Sequence, residues 1–280
     1  MKFGVNLLLW TGGFSDQDIR LFEKVRSLGY NGVELPIFST QGITAALVRK
    51  ALADTGLGCT ICSVIAPGAG LVDPDPKARQ RGIDFLKADI DLAYEIGAEI
   101  ISGPLHSPVG HLVGRGRTQE EWRWCVDCLS EVASHAESAG VLLGVEALNR
   151  FETYFLNTMS DACRLVADVG SPALGVHYDT FHANIEERKP IEALKACGDR
   201  LYHFHCSEND RGPVGYGHID WQGMITALRE IGYDRWLVLE SFLPAIKEIA
   251  AASAIWRELS PSPEDLASDT LTFLKQLTEG

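Results

Sequence analysis

The chain is short of basic residues. Its 280 residues include 25 Lys plus Arg against 38 Asp plus Glu, which gives a formal net charge of −13. Proteins that bind nucleic acids concentrate Lys and Arg on one face, and anionic membrane surfaces attract basic segments. We therefore expect neither a nucleic-acid partner nor a membrane partner.

Long apolar runs and export signals are missing as well. No run approaches the roughly 20 apolar residues that cross a bilayer. The opening residues 1–13 hold one Lys and a short apolar run, with no cleavage-site pattern after it. Without an export signal, the seven Cys are expected to be reduced thiols, so the sequence favours a cytoplasmic protein.

Two cysteine pairs have the CxxC spacing found in zinc sites, Cys59/Cys62 and Cys125/Cys128. The first pair lies in an apolar run, and on a strand an offset of three directs two side chains to opposite faces. The second pair lies in a helical pattern, where buried Cys is ordinary. Neither pair is a strong zinc candidate.

Eight short apolar segments alternate with helical patterns along the chain. The predicted strands are residues 3–9, 32–35, 58–65, 98–103, 141–146, 174–179, 201–205 and 236–240. Seven of the predicted helices end at a Gly, which a helix C′ position with positive φ favours. These are Gly29, Gly56, Gly97, Gly140, Gly170, Gly198 and Gly232.

This order of elements predicts a parallel sheet covered by helices. Eight βα units at this length indicate an α/β fold of the closed (β/α)₈ TIM barrel type, with residues 1–280 as a single domain. An extra helix is expected after strand eight, near 244–258. A doubly wound open sheet is the alternative, but the first strand is not followed by GxGxxG.

Four of the predicted strands end on residues that could bind a metal ion. These are Glu146, Asp179, His205 and Glu240, at the ends of strands five to eight. A buried unpaired carboxylate is costly, and barrel enzymes carry their chemistry at this end of the strands. Any one of the four could be a helix cap or salt-bridge partner, but four on consecutive strands favour a site for Mn²⁺, Mg²⁺ or Co²⁺.

Three further polar residues have open roles. His177 and His203 each lie two positions before a predicted ligand and so face the same side of their strands. We interpret both as core or supporting histidines. Glu34, at the end of the second strand, either belongs to the site or pairs with an arginine near the rim.

Four segments together resemble the ketose 3-epimerases. They are EALNRFE (146–152), DTFHANIEE (179–187), HFHCSENDRG (203–212) and ESF (240–242). The resemblance is to the D-tagatose, D-psicose (allulose) and L-ribulose 3-epimerase group of the xylose-isomerase-like TIM barrel superfamily. It implies a metal-dependent isomerase that inverts C3 of a free ketose, a ketohexose or ketopentose of the D-tagatose, D-psicose, D-fructose or L-ribulose class.

The resemblance also assigns roles to particular residues. It implies that one divalent ion, with Mn²⁺ expected and Co²⁺ or Mg²⁺ as alternatives, is bound by Glu146, Asp179, His205 and Glu240. Glu146 and Glu240 match the acid/base pair: one removes the C3 proton to leave a cis-enediolate, and the other returns a proton from the opposite face. The residues that match the groups holding O1 to O3 of the sugar are Glu152, His182 and Arg211.

The sequence departs from that group around the distal sugar carbons. Members often carry an aromatic residue at the position of Asn6 and a Trp in the loop that here reads SPVGH (107–111). We expect a different distal pocket, so the preferred ketose is left open. Its expected lining residues are Asn6, Leu8, Trp10, Phe14, Cys62 and His106. The Gly-rich loop 106–118 could act as a lid, and a homodimer or homotetramer is implied.

Three other functions compete with this interpretation. An aldose–ketose or hydroxypyruvate-type isomerase would share the barrel and the metal but move a proton between C1 and C2. A DNA-repair endonuclease of the same superfamily would need more metal ligands and a basic face, which the charge argues against. A sugar-binding protein without activity would not need paired carboxylates.

Overall fold

The computed structural model, which describes residues 1–279, contains eight parallel strands closed into a barrel. Each strand pairs with the next, and the eighth pairs with the first. The strands are β1 (Lys2–Asn6), β2 (Gly32–Ile37), β3 (Gly58–Ser63), β4 (Ile100–Gly103), β5 (Leu142–Glu146), β6 (Leu174–Asp179), β7 (Leu201–Cys206) and β8 (Trp236–Leu239). The predicted (β/α)₈ barrel is confirmed.

Helices follow the strands in sequence. They are α1 (Leu21–Leu28), α2 (Ala45–Thr55), α3 (Pro76–Ile96), α4 (Gln119–Ala139), α5 (Met159–Val169), α6 (Thr180–Glu186), α7 (Pro190–Cys197), α8 (Trp221–Glu230), α9 (Lys247–Ser253) and α10 (Pro263–Glu279). Helix α9 is the extra helix expected after strand eight. Among residues 1–279, no helix is both long enough and apolar enough to cross a membrane.

The seven predicted helix-ending glycines all have positive φ, from 55° to 92°. Other local signals act at the helix starts. Helix α4 begins with a capping box in which the Thr118 hydroxyl accepts from the Glu121 N–H and the Glu121 carboxylate accepts from the Thr118 N–H. The glycines that the sequence predicts at helix ends therefore have the positive φ angle expected of that position.

The first strand is shorter than predicted. It ends at Asn6, and Leu7–Leu9 form a 3₁₀ turn rather than more strand. The Asn6 side chain accepts a hydrogen bond from the Leu8 N–H at 3.0 Å, and this cap turns the chain away from the sheet. The prediction of a strand over 3–9 was wrong in its second half.

Helix α6 was not predicted, and α9 is shorter than the expected 244–258. The carboxylate of Asp179 caps α6 by accepting from the N–H groups of Phe181 and His182 at 2.6 and 3.2 Å. The last residue of β6 therefore starts a helix without an intervening loop.

The two ends of the barrel differ. At the start of β8 the indole of Trp236 fills the space over Gly32 and Gly58, where a Cβ at Gly32 would lie 2.5 Å from the ring. Trp236 is buried. This end is packed with apolar atoms, so the opposite, carboxyl-terminal end of the strands is left for a functional site.

Candidate active site

Four predicted ligands converge at the carboxyl-terminal end of the barrel. Glu146 and Asp179 end β5 and β6, His205 lies in β7, and Glu240 directly follows β8. All four are buried. Nδ1 of His205 lies 3.6 Å from Oδ2 of Asp179 and 3.5 Å from Oε2 of Glu240. Potential ligand atoms of Glu146, Asp179 and His205 all lie within 4.8 Å of one another.

These residues fit a divalent cation. Nδ1 of His205 is buried and, among residues 1–279, has no hydrogen-bond partner. Burial raises the pKa of Glu146 well above its usual value, and the nearby carboxylates of Asp179 and Glu240 raise it further. Three crowded carboxylates and one free imidazole nitrogen are an oxygen-rich donor set that suits Mn²⁺, Mg²⁺ or Co²⁺.

Glu34 supports this group from the barrel interior. It is fully buried, with Oε1 2.6 Å from Nε2 of His205 and Oε2 2.7 Å from Nε2 of His203. Burial favours its neutral form, but His205 and His203 outweigh burial and lower the pKa of Glu34 well below its usual value. The ionised carboxylate therefore accepts from His205 Nε2–H, which leaves Nδ1, the atom that faces Asp179 and Glu240, as the predicted ligand atom.

His177 and His203 are buried side chains within the barrel rather than parts of the cavity wall. The His177 ring packs 4.1 Å from the His205 ring, and its Nδ1 lies 3.8 Å from Oε2 of Glu146. Burial, followed by the neighbouring imidazoles of His205 and His203, lowers the pKa of His177, so the ring is neutral. Both histidines support the site from below.

Arg211 places a positive charge against two of the carboxylates. Its Nη1 donates to Oδ2 of Asp179 at 3.0 Å and to Oε2 of Glu240 at 2.9 Å. The guanidinium carbon lies 4.0 Å from the centre of the Phe181 ring and 4.9 Å from that of Phe242. Burial favours loss of the proton, but Asp179 and Glu240 outweigh it and raise the pKa of Arg211, which stays charged.

Asn149 joins two of the predicted sugar-binding residues, and sequence reasoning missed it. Its Nδ2 donates to Oε1 of Glu152 at 2.8 Å and lies 2.9 Å from Nδ1 of His182. Nδ1 of His182 also accepts from the Asn149 backbone N–H at 3.2 Å, so Nε2 carries the proton. That Nε2 lies 3.7 Å from Oε1 of Glu146. The NRFE segment that contains Asn149 was the available signal.

A cavity of about 190 Å³ opens over these residues. Five predicted site residues supply its charged and imidazole lining: Glu146, Glu152, His182, Arg211 and Glu240. The other walls are mainly apolar and are formed by Leu8, Phe38, Cys62, Val64, Pro104, Val109, Leu148, Phe181, Phe242, Ile249 and Ala252, together with Ser253. The cavity lining therefore consists of these five charged and imidazole residues and of side chains that are otherwise largely apolar.

Of the six expected distal lining residues, Leu8 and Cys62 reach this cavity. The Trp10 indole N–H donates to Glu264 at 3.0 Å, and the Phe14 ring stacks on Phe22 with centroids 6.0 Å apart. Nε2 of His106 contacts the Glu146 carbonyl oxygen at 3.1 Å. Asn6 lies beneath the cavity floor, between the carboxylates of Glu34 and Glu240.

The Gly-rich loop 106–118 contributes Val109 to the cavity wall. The Gly110 N–H donates to the Glu152 carbonyl at 2.7 Å, so this loop contacts the segment that carries a predicted sugar-binding carboxylate. Farther along, Arg117 pairs with Asp161 at 2.6 Å. That the loop acts as a lid stays a prediction.

The chain matches one family over most of its length. The profile of the xylose isomerase-like TIM barrel family matches residues 22–277. The chain belongs to this family. An L-ribulose 3-epimerase of Mesorhizobium japonicum is 30% identical over 98% of this chain and 93% of its own length. A ketose 3-epimerase of Arthrobacter globiformis is 29% identical over 98% of this chain and 96% of its own.

A solved structure of a D-allulose 3-epimerase from Methylomonas sp. in complex with D-allulose superposes with a TM-score of 0.94. It is 27% identical over 99% of this chain and 96% of that chain. Within the xylose isomerase-like family, the chain therefore falls in the ketose 3-epimerase group, whose members are enzymes of the isomerase class.

Proposed function

We propose that this enzyme is a divalent-metal-dependent ketose 3-epimerase that acts on free ketohexoses or ketopentoses. The observation that carries the proposal is the placement of Glu146 and Glu240 in the wall of one cavity, on either side of Asp179 and His205. Strands β6 and β7 separate the two glutamates around the barrel. The carboxylates can therefore approach a bound sugar from two sides, as inversion at one carbon requires.

The cation would be held by Glu146, Asp179, His205 and Glu240. When bound, it supplies charge that polarises the C2 carbonyl and so acidifies the C3 proton. We propose Mn²⁺ as the ion, with Co²⁺ or Mg²⁺ as alternatives. Two features support a cation here: Nδ1 of His205 has no hydrogen-bond partner among residues 1–279, and burial together with the nearby carboxylates of Asp179 and Glu240 raises the pKa of Glu146.

The two glutamates would exchange roles with the direction of reaction. One carboxylate removes the C3 proton, and the other, in its acid form, donates a proton to the opposite face of the resulting cis-enediolate. Arg211 already contacts Glu240 and lines the cavity, so its charge is placed to stabilise the negative oxygens that develop. Glu152 and His182, both oriented by Asn149, would hold the sugar hydroxyls near O1 to O3.

The relatives support the reaction class. Those named above are an L-ribulose 3-epimerase and a ketose 3-epimerase, and the solved structure holds D-allulose. For this chain we propose the same class of sugar, D-tagatose, D-psicose, D-fructose or L-ribulose. A cytoplasmic location, a single domain over residues 1–280, and a homodimer or homotetramer remain proposals.

Incubation of the purified protein with a panel of free and phosphorylated ketoses tests the function. Each sugar is supplied with Mn²⁺, Co²⁺ or Mg²⁺ after treatment with EDTA, and products are separated by chromatography. We expect C3 epimers of free ketoses and no aldoses. The E240Q variant should bind sugar but turn it over at least about a hundredfold more slowly, since one proton carrier is lost. Aldose products alone would support an aldose–ketose isomerase instead.

A further inference from the structure

Asn6 lies at the seam where the barrel closes. It is the last residue of β1, which pairs with β2 on one side and with β8 on the other. Asn6 is the register partner of Glu34, while Val5 is the partner of Leu239, the residue before Glu240. The Asn6 side chain, which is fully buried, therefore points between the carboxylates of Glu34 and Glu240.

The amide is oriented by its own backbone. Oδ1 of Asn6 accepts from the Leu8 N–H at 3.0 Å, which fixes the oxygen on that side. Nδ2 then faces the two carboxylates: it lies 3.1 Å from Oε1 of Glu34 and 3.4 Å from Oε1 of Glu240. One amide group with two N–H donors thus spans two acidic side chains from different strands.

The two carboxylates differ in the other hydrogen-bond donors that they contact. Oε2 of Glu240 accepts from Arg211 at 2.9 Å, whereas Oε1 has Asn6 as its one protein donor among residues 1–279. Oε1 of Glu34 is shared between Asn6 and Nε2 of His205 at 2.6 Å. The same amide therefore touches Glu240 directly and is linked to His205 through Glu34.

We propose that Asn6 is a positioning residue. Its amide holds the Glu240 carboxylate directly and the His205 imidazole through Glu34, so that the two groups keep a fixed position relative to each other. The acid/base part of this role rests on the proposed function. The ligand part rests on the contacts above and on the cation site proposed for Glu146, Asp179, His205 and Glu240. Although resemblance led us to expect a pocket-lining residue here, the structure places its amide beneath the cavity, against the charged groups.

Two substitutions separate positioning from a purely structural role. N6D keeps an oxygen that can accept from the Leu8 N–H but replaces the N–H donors with an acceptor facing two carboxylates. N6S is smaller, keeps a hydroxyl for the local cap, and cannot reach either carboxylate. The matched control is N31S, because Asn31 caps the other end of the same strand pair, where its Oδ1 accepts from the Phe3 N–H at 2.8 Å.

Calorimetry of EDTA-treated protein with Mn²⁺ gives the first readout, and steady-state kinetics with a ketose substrate gives the second. For N6D and N6S we expect Mn²⁺ affinity and kcat each to fall about tenfold or more, the usual scale for losing a group that orients metal ligands. KM should change less than about threefold, since Asn6 is not among the residues that line the cavity. N31S should match the wild type in both readouts.

Three results would overturn the proposal. The first is that N6D and N6S fold, as judged by circular dichroism, but keep a Mn²⁺ affinity and a kcat within about twofold of wild type. The second is a rise in KM alone, which would make Asn6 a sugar contact. The third is an equal loss of Mn²⁺ affinity in N31S, which would indicate a general effect on folding. If the wild type epimerises no ketose, the proposed function fails, but the calorimetric comparison still decides the positioning role.

Discussion

Oε1 of Glu34 lies 2.6 Å from Nε2 of His205, although the two residues are 171 positions apart in the chain. Because Glu34 is ionised, it accepts a hydrogen bond from Nε2–H of His205, and Nδ1 of the same ring faces Asp179 and Glu240. A carboxylate that orients a ligating histidine is a recurrent arrangement in metal sites. This contact links the interior of the barrel to the residues proposed to bind the cation.

Replacing Glu34 by glutamine should weaken metal binding. E34Q offers an amide where His205 and His203 need an acceptor, so one of these contacts is lost and His205 can adopt the other tautomer. We expect Mn²⁺ affinity, measured by calorimetry, to fall about 10–100-fold. The same change at the exposed Glu192, whose ion pair is with Lys189, is the control. Wild-type affinity in E34Q would contradict the orienting role.

Metal binding should stabilise the fold. Glu146, Asp179 and Glu240 bring three buried carboxylates together at the end of the barrel, and burial followed by the other two carboxylates raises the pKa of Glu146. A bound cation would offset this negative charge. At a free Mn²⁺ concentration about 100 times Kd, the gain should be about 2.7 kcal/mol. Thermal melting of EDTA-treated protein with and without Mn²⁺ measures it.

The control for that experiment is D179N, whose own metal-free melting temperature serves as its reference. This variant removes one proposed ligand, so the shift produced by Mn²⁺ should largely disappear. An undiminished shift in D179N would place the stabilising ion elsewhere on the protein.

The stability should also depend on pH through Asp89. This residue of α3 is buried, and burial raises its pKa from 3.8 to about 7, although the Ser63 hydroxyl donates to it at 2.6 Å. The folded state therefore favours the protonated acid. The stability associated with Asp89 is fully present below about pH 4 and is lost as pH rises to about 7, by at most about 4 kcal/mol at 1.4 kcal/mol per pKa unit.

The D89N variant cannot ionise, so it should escape this loss. Denaturant unfolding should show D89N gaining stability relative to wild type between pH 4 and pH 7, with no further gain above. D84N, a change to an exposed residue of the same helix, is the control. A D89N difference that is the same at pH 4 and pH 8 would show that Asp89 does not titrate in this range.

The apolar part of the cavity predicts that the enzyme accepts sugars that differ at C6, the end of the chain farthest from O1. The five charged and imidazole lining residues are all assigned to O1 to O3 and the C3 proton, and Ser253 is the main polar addition. Removing the C6 hydroxyl should therefore leave kcat/KM within about tenfold of the parent ketohexose, because no group is built to bind it. Kinetics with matched 6-deoxy and parent ketoses measure this. A loss of about 10⁴-fold would reveal a specific partner for that hydroxyl.

Much of the barrel was predictable because its signals are local. A glycine such as Gly97 ends its helix by its own backbone preference, and a carboxylate such as Glu146 at a strand end stands out against apolar neighbours. Once parallel strands were assigned, the barrel itself brought residues from β5 to β8 together. The convergence of Glu146, Asp179, His205 and Glu240 follows from that topology.

What was missed depends on contacts between distant parts of the chain. Glu34 has no local feature that reveals His205 as its partner. Trp10 and Phe14 were expected in the cavity, but the direction of their side chains depends on α1 and α10, where Phe22 and Glu264 meet them. An aromatic residue near a strand end does not show by its type alone whether it faces a pocket or a helix.

The most direct test of the central claim is the fate of the C3 proton. Wild-type protein is incubated with Mn²⁺ and one free ketose in D₂O, and the sugars are followed by proton NMR. We expect interconversion of the two C3 epimers with deuterium entering at C3, and a loss of both in E146Q and E240Q. Deuterium entering at another carbon with formation of an aldose, or exchange at C3 that is unchanged in both variants, would contradict it.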